Sequence, residues 1–247
     1  MGPLLLDIGI ALLRSGASSG KIRMTLLAIA RAYHCEAHVD LNGKSISLSL
    51  HSSENLSVFN EIRSADSHGI NFKIVAGIGK MTKDITTNPP SLQELKTELD
   101  HILKSSHYPR YLVLLMVSVA GAAFCFTLGG SAIQMAIAFG ATCLGLFIKQ
   151  ECAKRTMNTY LCTYLAAVTA TSLIGLFYKL GLSGQLEQAL TTSVLFLVPG
   201  VPLINCFTDF LEGEILNGME KAGNAFIHAL AIASGMATVL FLFNFQQ

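Results

Sequence analysis

The chain has 247 residues, of which 51% are hydrophobic and 13% charged, with a formal net charge of +1. A soluble domain carries roughly 25% charged residues, and a nearly neutral chain without a polybasic run lacks the electrostatic footprint of a nucleic-acid binder. Composition thus excludes an ordinary soluble globule and any nucleic-acid partner.

The charge deficit has a place. Residues 1–110 hold 22 Asp, Glu, Lys and Arg, and residues 111–247 hold 11. The boundary near Arg110 predicts a small N-terminal domain over 1–110 and a transmembrane domain over 111–247. Asp7 interrupts the first apolar run and no basic segment precedes it, so a signal peptide is not expected and the first domain is expected in the cytoplasm. The six cysteines lie mostly in apolar stretches without a CxxC pair, which reads as buried, reduced thiols.

Leu4, Leu5, Ile8, Leu12 and Leu13 recur at helical spacing, and Gly16 ends that helix. Ser18 or Ser19 is placed to cap a second helix over 21–34. The period then changes. Asn42-Gly43 between the short runs 35–41 and 44–50 predicts a hairpin, and the alternation in 45–50 buries one face. A third strand is expected over 56–62 and a helix over 70–85. Pro89-Pro90 breaks it, and Ser91 with Glu94 forms a capping-box signature for a last helix to Lys104. The N-terminal domain is therefore α+β.

A spanning helix needs about 20 apolar residues. The uncharged run from Tyr111 to Ile148 suits two, with Gly129-Gly130-Ser131 as the turn. Five spans are predicted, at about 111–129, 131–149, 156–178, 188–208 and 222–245. Lys104, Arg110, Lys149, Lys154, Arg155 and Lys221 all fall on one side of such a path and Lys179 on the other. The bias of basic residues to the cytoplasmic side then gives an N-in, C-out topology. Small residues such as Gly140-Ala141, Ala166-Ala167 and Gly235-Met236-Ala237 predict close helix packing. The fold class is a membrane all-α bundle of five transmembrane helices with a small cytoplasmic α+β domain.

Gly16–Lys21 departs from the phosphate-loop spacing and follows a helix, so it reads as a capped turn. His34, Glu36 and His38 are close in sequence but lack further ligands, so no metal is expected. No nucleophile–base set, glycine fingerprint or carboxylate pair stands out. The expectation is no enzyme activity and no cofactor.

The fourth span differs. Pro199, Gly200 and Pro202 within four residues cannot continue a regular helix. In hydrocarbon the freed backbone groups need protein or a watery cavity, and transporters build binding sites on such breaks. A second half-helix starting near Pro202 favours a carboxylate at its N-terminus, and Asn205 adds an amide. Asp209, Glu212, Glu214 and Glu220 follow, either as a solvated loop or as a coupling mouth in which Asp209 lies nearest the membrane. His228 within the fifth span is a proton-relay candidate or a satisfied core histidine.

The run Val198–Asn205 with Asp209, Gly213 and Gly218, and the opening Leu12–Ala17, resemble the threonine/serine exporter (ThrE) family. Tyr108–Val117 and His68–Asn71 resemble, more narrowly, a branch of it whose members are succinate-exporting subunits of enteric bacteria. The resemblance implies a bacterial inner-membrane exporter. Long members join two five-helix halves; this chain matches the first, and a smaller second membrane subunit is expected to supply the other. The implied substrate is succinate, or threonine and serine for the broader family. A dicarboxylate calls for an added cation, with Arg110, Lys149 and Arg155 as candidates by position. The alternative class is a membrane-anchored sensor or scaffold without transport of its own.

Overall fold

The computed structural model describes residues 1–52, 59–65, 70–104, 108–181 and 187–243. The chain forms two compact units. One comprises Met1–His107 with Gly200–Gly223, the other Tyr108–Pro199 with Asn224–Gln247.

The first unit begins with helices α1 (Gly2–Arg14) and α2 (Ser19–Ala32). Gly16, at φ +85°, makes the turn between them, a conformation that costs glycine little. Ser18 caps α2 by accepting from Lys21 N at 3.3 Å. Strands β1 (Cys35–Asn42), β2 (Ser45–Ser52) and β3 (Phe59–Ser64) form an antiparallel sheet in the order β1-β2-β3. Val39 faces Leu48 and Leu41 faces Ile46 across the hairpin, and Gly43 takes φ +53° at its turn. The part of the expected third strand over 56–58 lies outside the described residues.

Helices α3 (Phe72–Thr87) and α4 (Leu92–Leu103) follow. The α4 capping box forms as its spacing predicts: Ser91 N donates to Glu94 at 2.8 Å, and Glu94 N donates to Ser91 Oγ at 3.3 Å. Ser91 N and Ser91 Oγ, the latter at 2.9 Å, both donate to the Glu94 carboxyl and hold it below the usual range. One core joins all of these elements. Leu5, Leu6, Ile8 and Leu12 of α1 pack with Ile22, Leu26 and Ile29 of α2, Ile46 and Leu48 of β2, and Ile78, Met81 and Ile85 of α3. Each such side chain contributes about 1.5–3 kcal/mol by leaving water.

The second unit inverts that pattern. Helices α5 (Arg110–Thr127), α6 (Ala132–Lys154) and α7 (Thr159–Lys179) are each long and apolar enough to cross a membrane. Most of their buried positions are small: Ala138, Ala141, Ala166, Ala167 and Ala170 lie in one core with Ile137 and Ile174. Their large apolar side chains face outward, Leu115, Met116, Phe124 and Phe126 of α5 among them. Backbones approach where glycine permits. A Cβ on Gly145 would lie 3.0 Å from Ala166 O, and one on Gly235 would lie 2.9 Å from Tyr164 O. Gly129 at φ +84° makes the expected turn from α5 into α6, and a capping box at Ser131 starts α6.

The fourth apolar segment is two helices, α8 (Glu187–Leu195) and α9 (Gly200–Leu211), and the chain bends by 67° at the break. The last helix, α10 (Ile215–Leu242), starts well ahead of its apolar run and carries Glu220 and Lys221 in its first turns. The described residues thus hold four helices able to span a membrane, or five if α8 and α9 are one broken span.

Candidate functional site

The break follows from its residues. Val198 precedes a proline and is disfavoured in the α region, so α8 stops before Pro199. Gly200 starts α9, and Pro202 falls in its first turn, where a missing amide donor costs nothing.

Around the helical circumference of α9, apolar and polar residues separate. Ile204, Phe207 and Leu211 are exposed, while Cys206 and Asp209 are buried. The buried face belongs to the first unit. Asn205 Nδ2 donates to Gly16 O at 2.9 Å, so the amide singled out in the sequence is engaged by the turn between α1 and α2.

Asp209 is fully buried. Ser19 N and Ser19 Oγ each donate to it at 3.0 Å, and Lys221 forms an ion pair with its second oxygen. Lys221 Nζ also donates to Ser19 Oγ at 3.2 Å. The Ser19 amide lies in the first turn of α2, where unpaired N–H groups favour an anion. Beside it Arg23 pairs with Glu214. Asn217 completes the set: its Nδ2 donates to Leu41 O, and its Oδ1 accepts from Gly43 N, both at 2.9 Å. Of the two readings left open by the sequence, a solvated loop fails for Asp209. Glu212 and Glu220 are exposed, and their carboxylates rest against Gly20 and Gly43.

The other candidates lie in the second unit. Arg110 Nε donates to Gln150 Oε1 at 2.7 Å, Nη2 pairs with Glu151 at 3.0 Å, and the guanidinium sits 5.0 Å above the Phe147 ring. Its charge is thereby satisfied within the chain. Arg155 is exposed. Lys149 is half-buried, and among the described residues it has no carboxylate within ion-pair distance. His228 contacts Thr163 Oγ1 through Nδ1 at 3.1 Å and Tyr160 ring to ring at 4.9 Å, and Tyr160 Oη donates to Asn224 Oδ1 at 2.7 Å.

The structure thus brings Asn205 and Asp209 onto one buried face, and separately sets His228 against Thr163 and Tyr160. Sequence reasoning missed Ser19, Lys221 and Asn217 as partners of that face, and Tyr160, Thr163 and Asn224 around His228. Among the described residues no group of three or more His, Cys, Asp or Glu could hold a metal ion.

Comparison with known proteins yields one family and two relatives. A family described as "Putative threonine/serine exporter" matches residues 3–243. The chain is 27% identical to "Probable succinate transporter subunit YjjP" of Escherichia coli K12, over 98% of this chain and 94% of that protein. It is 25% identical to the protein of the same name from Klebsiella aerogenes, with the same coverage. No solved structure matches.

Proposed function

We infer a two-subunit carboxylate exporter from the premise that this chain belongs to the threonine/serine exporter family. Membership makes it a membrane exporter, and a transport family points to a role without catalysis. The finer reading is a subunit that exports small carboxylates, succinate above all, across the bacterial inner membrane. A YjjB-type second membrane subunit supplies the other half. The observation that carries it is the match, along nearly the whole of both chains, to proteins named as succinate transporter subunits. The family description supports threonine and serine as the second reading.

The orientation is N-in and C-out, with residues 1–110 in the cytoplasm. The basic residues Lys104, Arg110, Lys149, Lys154, Arg155 and Lys221 on one side of a five-span path support it. Helices α5, α6 and α7 make three crossings, the broken pair α8 and α9 a fourth and α10 a fifth. The break at Pro199, Gly200 and Pro202, with Asn205 beyond it, is assigned to substrate passage. Asp209, with the exposed Glu212 just beyond the same helix, is assigned to gating: opening α9 requires a buried ion pair to separate, a step of several kcal/mol unless a ligand or proton compensates.

Efflux of labelled succinate and labelled threonine, from cells expressing this chain with and without the second subunit, tests the reading. Succinate efflux that needs both chains is the expected result. Threonine efflux instead moves the substrate to the broader family's. Efflux of neither, with the protein present in the membrane, sinks the carboxylate reading.

A further inference from the structure

One face of the first unit is basic. A cleft of about 500 Å³ is lined by Lys21 of α2 and, on α3, by Phe72, Val75, Gly79, Lys80 and Lys83. No acid lines it. Lys21 Nζ sits over α3, 4.0 Å from where a Cβ on Gly79 would stand. All three lysines are exposed, and among the described residues none has a carboxylate within ion-pair distance. Three like charges around one cleft repel one another and favour an anion between them.

The rim adds apolar surface. Phe72, Ala76, Gly79 and Lys83 recur at helical spacing on the side of α3 away from Ile78, Met81 and Ile85, which enter the core. Phe72 is 56% exposed, and Met24, one turn beyond Lys21 on α2, is 69% exposed. Lysines beside exposed apolar side chains are the pattern of a surface that meets lipid headgroups.

The place of the cleft in the first unit agrees. Asn71 N donates to Ser15 O at 3.1 Å, which ties the start of α3 to the turn between α1 and α2. That turn also receives α9: Asn205 Nδ2 donates to Gly16 O, and Ser19 N, two residues before Lys21, donates to Asp209. The opposite face of α9 exposes Ile204, Phe207 and Leu211, and α9 is half of a candidate broken span. The end of the unit that carries Lys21 and Phe72 is therefore the end that carries a helix apolar enough to enter lipid.

We propose that this cleft docks on the bilayer surface, where Lys21, Lys80 and Lys83 bind the phosphates of anionic phospholipid headgroups and Phe72 enters the interfacial layer. The proposal needs a membrane protein but not the exporter's choice of substrate.

The chain has no tryptophan, so Phe72→Trp places a sole fluorescent reporter at the rim. The full chain is reconstituted in nanodiscs of phosphatidylcholine, with or without phosphatidylglycerol. With phosphatidylglycerol the emission is expected to shift to the blue and to be quenched by lipids brominated on the upper acyl chain, and with phosphatidylcholine alone to do neither. Adding Lys21→Gln, Lys80→Gln and Lys83→Gln is expected to lower the ratio of docked to undocked reporter by roughly fivefold per lysine. If that variant does not accumulate, about 1 M salt serves instead, since a Debye length of about 3 Å removes the lysines' field. Equal emission in the two lipids, or quenching that survives the loss of the lysines or of their field, overturns the docking. A blue shift produced by succinate in phosphatidylcholine, with none from phosphatidylglycerol, assigns the cleft to a soluble dicarboxylate and overturns it as well.

Discussion

Asp209 shows how one residue carries a structural burden. Its carboxylate has no exposure and depends on Ser19 and Lys221. Removing one member of a buried pair strands the other, at a cost of about 3–5 kcal/mol, whereas removing both costs less. Asp209→Ala is therefore expected to lower the Tm of the purified protein sharply, and Asp209→Ala with Lys221→Met to recover part of the loss. A double variant no more stable than the single one would show that the pair is not the origin. Glu94 gives a prediction in pH. Its folded carboxyl sits below the unfolded value because Ser91 N–H and Oγ–H donate to it. Its stabilisation is present in full above the unfolded value and is lost as pH falls through the folded one. Glu94→Gln is expected to flatten the acid limb of stability, read by circular dichroism during acid titration.

At the scale of elements, the break between α8 and α9 and the packing of α10 are the two decisive features. Alanine at Pro199 and Pro202 restores the amide donors and removes the restriction on Val198. The double variant is expected to straighten the segment and to reduce export to background while membrane abundance is kept. Wild-type efflux from that variant would remove the break from the mechanism. Gly235 permits α10 to meet α7 at backbone distance: an added Cβ would lie 2.8 Å from Ala167 Cβ and 2.9 Å from Tyr164 O. Backbone cannot swing aside as a side-chain tip can. Gly235→Val is expected to destabilise by about 1–3 kcal/mol, seen as a lower Tm in detergent.

For the whole molecule, the N-terminal module is not a tethered passenger. Gly16, Ser19, Arg23, Leu41 and Gly43 supply hydrogen-bond or ion-pair partners to Asn205, Asp209, Glu214 and Asn217. Any motion of α9 during transport is thereby coupled to α2 and the hairpin. The proposed orientation is checked with reporter fusions. Alkaline phosphatase at the C-terminus is expected to be active and the same enzyme at the N-terminus inactive; the reverse would overturn the orientation, and equal activity at both ends would overturn the five-span count.

Much of the architecture was readable from local pattern. The Asn42-Gly43 hairpin, the Ser91 cap, the Gly129-Gly130-Ser131 turn, the small residues of the spans and the proline break each depend on neighbours within a few residues, so sequence spacing predicts them directly. The family resemblance likewise rested on contiguous motifs around Val198–Asp209. Tertiary structure alone decided what those residues meet. Asp209 reads as one acid in an acidic run until a serine 190 positions away buries it. Arg110, Lys149 and Arg155 are equivalent in sequence until Glu151 and Gln150 satisfy the first and burial distinguishes the second. The physical reason is one of range: helices, turns and caps are set by short-range sterics and hydrogen bonds. The charge state a buried group can sustain is set by partners that only folding brings within 3 Å or so.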